Sequence, residues 1–141
     1  MEANNPKQNR RRSHIKNLYL VAIADGNLDY IEEMFLFARG ASLNIKKEEV
    51  RIIMQNPDSI PFLAPNKFAN KILQMYDLVH MMLLNGTIDD RELSVCKQIA
   101  QNLNIEPELV NGILKDIYKR KTNKDLGLLS LNQISKSISN N

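Results

Sequence analysis

Apolar residues recur along this chain with the spacing of α-helices. Ile15, Leu18, Tyr19, Ala22 and Ile23 fall at i, i+3, i+4, i+7 and i+8, which puts them on one stripe of a helix. Gly26 follows and suits a left-handed helix end. Asp29 then opens a second helix, with Ile31, Met34, Phe35 and Ala38 as its predicted apolar side. Leu43-Asn44-Ile45 reads as a turn with an apolar anchor on either side of Asn44. A third helix starts near Lys47 and turns Val50, Ile53 and Met54 inward.

The same sequence of elements recurs sixty residues later. Without gaps, Leu18 falls on Leu78, Gly26 on Gly86, Asp29 on Asp89 and Glu32 on Glu92. Leu43-Asn44-Ile45 falls on Leu103-Asn104-Ile105, and Glu48, Val50 and Ile53 on Glu108, Val110 and Ile113. These are ten identities over residues 18–54, where chance gives roughly two or three, so a repeat is the first organising feature. In the second copy Pro107 stands where a first helical residue is expected. The expected fold is therefore an all-α, compact helical domain of two pseudo-symmetric three-helix repeats. The domain is expected over residues 14–118, with repeats at about 15–56 and 68–118 and a proline-containing linker at 57–66. Ile60, Phe62 and Leu63 are expected to tuck that linker against the core. Residues 1–13 read as a basic flexible N-terminus. Residues 119–141 read as a polar tail, in which Leu126 to Leu131 and Ile134 could form one short docked helix.

Charge changes this picture only at the ends. Of a net +3, residues 1–16 and residues 115–141 each carry +4, which leaves the body from 17 to 114 at −5. Basic ends attract nucleic acid or anionic lipid, but no aromatic residues are interleaved with the N-terminal bases, so no nucleic-acid partner is expected. The single cysteine, Cys96, supplies neither a disulfide framework nor a thiolate zinc site, and a reducing cytoplasm is the expected compartment. Arg10-Arg11-Arg12 followed by Leu18 to Ala24 imitates a secretory signal. A similar apolar segment recurs at Leu78 to Leu84 in mid-chain, so both read as core helices. Nothing approaches the ~20 apolar residues of a membrane span.

The shared G-x-[LI]-D-x-x-E element is where chemistry could reside. Asp followed three residues later by Glu is the pattern of a helix N-cap and its capping-box partner. Asp29 with Glu32, and Asp89 with Glu92, satisfy that pattern without any ligand. The acids are also crowded: Asp25, Asp29, Glu32 and Glu33 share one turn, and Asp89, Asp90 and Glu92 the other. Hard cations such as Ca2+ and Mg2+ take clustered carboxylate oxygens. Asp25-x-Asn27-x-Asp29 imitates the opening of an EF-hand loop, but Tyr30 stands where that loop needs Gly and Leu36 where it needs Glu. Any cation site would have another geometry, and Asn85, in place of Asp25, would weaken the second copy.

From Leu18 to Glu32 the chain reads L-x-x-x-A-x-A-D-G-x-x-D-x-x-E. With its doubled acidic turn it resembles the TerB-like family, named for tellurite-resistance operons, and the related helical region of DjlA-type co-chaperones. The resemblance covers about residues 14–118. It implies an all-α fold, a cytoplasmic or membrane-associated setting, stress-response work through protein partners, and acidic residues that bind metal. Carried over position by position, the implied ligands are Asp25, Asp29, Glu32, Asp89 and Glu92, with Ca2+ or Mg2+ as the implied ion. The departure at Asn85 puts a symmetric double site in doubt.

No nucleophile–base pattern, phosphate-cradling glycine loop or histidine metal spacing is visible, so no catalytic residue is expected. His80 follows Asp77 by three positions and reads as a buried, hydrogen-bonded histidine. Met75, Met81 and Met82 read as core filling, and Cys96 as a buried inert thiol. The expected function is a non-enzymatic module working through protein contacts, with cation binding at the acidic turns. The alternative is a plain helical adaptor whose acidic turns are only caps.

Overall fold

A computed structural model describes residues 5–122 and is all-helical over them. The helices are α1 (Pro6–Ala22), α2 (Tyr30–Ser42), α3 (Lys47–Gln55), α4 (Phe68–Leu83), α5 (Asp90–Asn102) and α6 (Glu108–Thr122). One short 3-10 turn, Pro57–Ser59, follows α3. The short tail helix expected over 126–134 lies outside the described residues. Helix α1 is central and packs against α2, α3, α4 and α5, while α6 closes over α4 and α5. Ile15, Leu18, Val21, Met75, Leu78 and Met81 are fully buried at this centre. No helix among the described residues is long and apolar enough to cross a membrane.

Helix α1 begins earlier than the sequence pattern implies. Residues 1–13 were expected to be flexible, yet α1 starts at Pro6, with Asn5 as its N-cap accepting from the Gln8 amide. Proline at the first helical position needs no amide partner and has its φ already set. Ser13 is fully buried, and its hydroxyl accepts from the Leu63 amide at 2.9 Å. This pins the linker to α1. Ile60 and Phe62 pack against the core as expected, whereas Leu63 is 36% exposed.

The recurring Leu-Asn-Ile has a specific backbone cause. Asn44 and Asn104 adopt left-handed φ values of 59° and 60°, a conformation that asparagine tolerates better than most residues. The Asn44 amide donates to Ala41 O and the Ile45 amide to Gly40 O, at 3.2 and 2.8 Å. The Asn104 amide donates to Gln101 O and the Ile105 amide to Ala100 O, at 3.0 and 2.8 Å. Each set is a Schellman closure, in which the last helical carbonyls are satisfied and the following apolar side chain folds back. Ile45 and Ile105 are accordingly buried.

Helix α2 is rotated relative to the expected apolar side. Ile31 and Met34 are 56% and 45% exposed, and the buried face runs Glu32, Leu36, Gly40. The capping geometry at Asp29 turns Glu32 inward, and i+4 spacing carries Leu36 and Gly40 after it. The buried face of α5 runs Glu92, Cys96, Ala100 in the same register. The inward Glu broke the apolar pattern, so the sequence pointed to the neighbouring residues instead.

His80 is also corrected. It is exposed, and the buried histidine is His14, whose Nε2 lies 2.9 Å from Asp77 Oδ2. Arg39 pairs with the other oxygen of Asp77 at 3.0 Å. Met75, Met81, Met82 and Cys96 are buried as expected, and burial pushes the Cys96 thiol up to about 12, out of the reactive range.

Candidate acidic site between two helix starts

Both acidic turns are built the same way. After α1, the Gly26 amide donates to Ile23 O, and Gly26 takes φ +88°. After α4, the Gly86 amide donates to Leu83 O, and Gly86 takes φ +81°. Nothing lies within 4 Å of a Cβ added at either glycine, so the requirement is conformational rather than steric. Each turn then delivers an aspartate to a helix start and a glutamate into the interior.

At the first turn the capping box is complete. Asp29 Oδ1 accepts from the Glu32 amide at 2.8 Å, and Glu32 Oε1 accepts from the Asp29 amide at 3.0 Å. Asp25 closes its own short turn by accepting from the Asn27 amide at 2.9 Å. The second turn differs. Asp89 Oδ1 accepts from the Arg91 amide at 2.8 Å, and the Arg91 guanidinium grips both carboxylate oxygens. That guanidinium holds the Asp89 carboxyl down at about 2. Glu92 does not close a capping box, so the expected symmetry of the two caps is absent.

The two glutamates are the unusual feature. Glu32 is 1% exposed and Glu92 2% exposed, and the Oε2 of each has no hydrogen-bond partner. A buried carboxylate oxygen without a partner is costly. The two side chains also feel each other. Burial raises the Glu92 carboxyl to about 7, reinforced by the negative charges of Asp25, Glu32 and Asp89. Burial likewise raises Glu32, against the lowering effect of its bond to the Asp29 backbone.

Asp25 acts beyond the turn to which the sequence assigns it. It was assigned to the first copy, with Asp29 and Glu32. Among the charges acting on Glu92 it is the strongest, while on Glu32 it is the weakest. The packing of α1 against α5 causes this, because it brings the end of α1 beside the second turn. Asp25, Glu32 and Glu92 therefore contribute to one shared acidic region rather than to two separate ones. Asp29 is committed to its cap and Asp89 to Arg91. Among the described residues, no three His, Cys, Asp or Glu side chains are drawn together closely enough to hold a metal ion.

The Asp29 cap makes a direct stability prediction. Asp29→Ala removes both an acceptor for the Glu32 amide and the reason for Glu32 to face back, and is expected to cost ~0.5–2 kcal/mol. Asp29→Asn is expected to cost much less, because asparagine caps comparably well. Denaturant melts of the two variants decide this; equal losses would mean that the charge, not the cap, is what matters.

A second polar cluster escaped the sequence reading. Lys7, Arg10, Arg11 and His14 sit at i, i+3, i+4 and i+7, the spacing of one helix face, and they line a cleft with Arg39, Asp77 and His80. The spacing was legible, but assigning residues 1–13 to a flexible segment hid it. Compared with protein-family models, with curated proteins and with solved structures, the chain finds no match.

Proposed function

We propose that this chain is a non-catalytic, TerB-like helical module that takes a hard divalent cation, Ca2+ or Mg2+, between its two acidic turns and works through protein contacts. A cytoplasmic setting, stress-response work and an arrangement of the two helical repeats about a pseudo-two-fold axis belong to the same reading. The observation that carries it is the pair of buried glutamates with orphaned Oε2 atoms, Glu32 and Glu92. An orphaned, buried carboxylate is relieved by a proton or by a cation, and oxygen-only donors select hard cations. Asp25 is the third donor in reach of that charge field. Binding would require Glu32 to close on the Asp25–Glu92 pair, since the described residues hold no ready-made group of three ligands. Support for a protein partner comes from Tyr30, Ile31 and Met34, which are 73%, 56% and 45% exposed on the outer side of α2. This patch begins one residue after the Asp29 cap, so a cation at the turn would act on the same helix start.

The plain-adaptor reading, in which the turns are only caps, draws on the complete capping box at Asp29 and Glu32. Asp25→Asn separates the two readings. It leaves both proposed caps intact and removes one hard ligand. A cation present at a hundred times its dissociation constant adds ~2.7 kcal/mol to the stability of the form it binds. Calorimetric titration with CaCl2 and MgCl2, with melts in parallel, is expected to show stabilisation that Asp25→Asn weakens without lowering the metal-free melt. No shift at millimolar cation leaves the adaptor reading in place.

A further inference from the structure

A cleft of about 710 Å³ opens between α1, α2 and α4, and none of the acidic-turn residues lines it. Its size falls within the ~300–1,000 Å³ typical of small-molecule sites. One wall is basic. Lys7, Arg10 and Arg11 project from the first turns of α1, and Arg39 comes from the last turn of α2. Among the described residues lining the cleft the one acid is Asp77, and it is already paired, with one oxygen on His14 and the other on Arg39. Among the described residues, Lys7 and Arg10 have no ion-pair partner. Arg11 donates to two neutral acceptors, Leu43 O and Gln8 Oε1. The α4 wall sets Leu73 and Tyr76 among the polar Asn70 and Gln74. Leu73, 49% exposed, stands beside Tyr76, whose hydroxyl donates to Asp116 at 2.8 Å and so fixes its ring.

Two further features point to a ligand rather than a solvated face. Lys7 lies in the first turn of α1, where the helix dipole disfavours cations, and that turn carries no acid to offset it. His14 is 3% exposed with its Nδ1 unpartnered, and the buried Nε of Arg39 is unpartnered as well. An unused guanidinium N–H on Arg39, uncompensated positive charge and a concave wall with apolar side chains thus border one cavity. We infer that this cleft binds a small organic anion, with a phosphate or diphosphate head against Lys7, Arg10 and Arg11 and a ring-bearing body against Leu73 and Tyr76. Guanidinium groups match phosphate oxygens two at a time, which suits such a head. The site uses none of the acidic-turn residues and stands independently of the proposed cation site.

The test is calorimetric titration of the full chain in low salt with ADP and, separately, with pyrophosphate. ADP is expected to bind, and pyrophosphate to bind more weakly because it leaves Leu73 and Tyr76 uncovered. Lys7→Gln combined with Arg10→Gln is expected to weaken both by at least ~tenfold, as loss of charge-assisted bonds does. Leu73→Ala is expected to weaken ADP and leave pyrophosphate unchanged. Both substitutions are on accessible side chains, and melts of each variant confirm that the fold is kept. Absence of ADP binding at millimolar concentration overturns the inference, as does ADP binding that survives the Lys7 and Arg10 substitutions. Equal affinity for ADP and pyrophosphate overturns the assignment of the α4 wall.

Discussion

Glu92→Gln is expected to stabilise the protein at pH 8 by up to about 3 kcal/mol in metal-free buffer and to leave stability near pH 4.5 almost unchanged. The ordinary value of 4.5 describes Glu92 in the unfolded chain, and the folded value is raised to about 7 by burial and by the charges of Asp25, Glu32 and Asp89. Below pH 4.5 the group is protonated in both states and contributes no difference. Between 4.5 and 7 the unfolded chain gives up the proton while the folded chain keeps it. Stability therefore falls as pH rises, by ~1.4 kcal/mol per unit, and levels off above 7. Glu32 is shifted in the same direction and adds to the slope. Asp89, lowered to about 2, acts only below the ordinary carboxylate range. Cys96, raised from 9.0 to about 12, acts only above about pH 9, outside this range. Urea melts of wild type and Glu92→Gln from pH 4.5 to 8 check this, and parallel pH profiles would falsify it. If a divalent cation occupies the same oxygens, it competes with the proton, and saturating cation should flatten the wild-type slope.

The parts of this fold that were legible in the sequence share one property, a local backbone requirement. Gly26 and Gly86 at positive φ, Asn44 and Asn104 in left-handed turns, and Asp29 at a helix start each need a particular residue type whatever surrounds them. Periodicity located α3 and the inward side of α4 for the same reason, because apolar residues there follow helix spacing without interruption. What was hidden depended on long-range packing. Ile31 and Met34 were assigned inward because their apolar character outweighs that of Glu32, yet the capping geometry turns the glutamate in. Asp25 was grouped with its sequence neighbours, and only the docking of α1 on α5 gives it to Glu92. His14 and His80 exchanged roles because Asp77 finds its partner across two helices, 63 positions away. The convergence of Glu32 and Glu92 is thus a tertiary fact, although each glutamate was singled out from sequence alone.

The same substitution, glycine to alanine, is expected to have opposite signs at two helical positions. In α2, a Cβ on Gly40 would stand 2.7 Å from Val50 Cγ2 and 3.2 Å from Ile45 O. Neither neighbour can retreat easily. Val50 is fully buried, and Ile45 O belongs to the turn that the Schellman closure fixes. Overpacking of this kind costs ~1–3 kcal/mol, against a gain of up to ~1 kcal/mol from replacing glycine inside a helix. Gly40→Ala is therefore expected to be destabilising by ~1–2 kcal/mol net. In α6, Gly112 has nothing within 4 Å of an added Cβ, so Gly112→Ala keeps the helix gain and is expected to stabilise by up to ~1 kcal/mol. Sixty residues after Gly40 stands Ala100, fully buried, with the same closing bond from the Ile105 amide at 2.8 Å. An alanine is thus compatible with the closure itself. The penalty at Gly40 belongs to the tighter approach of α3, and Gly40→Ala combined with Val50→Ala is expected to recover part of it. Denaturant melts of wild type, Gly40→Ala, Val50→Ala and the double variant measure this; a loss in Gly40→Ala that Val50→Ala deepens additively would place the strain elsewhere than in the contact between α2 and α3.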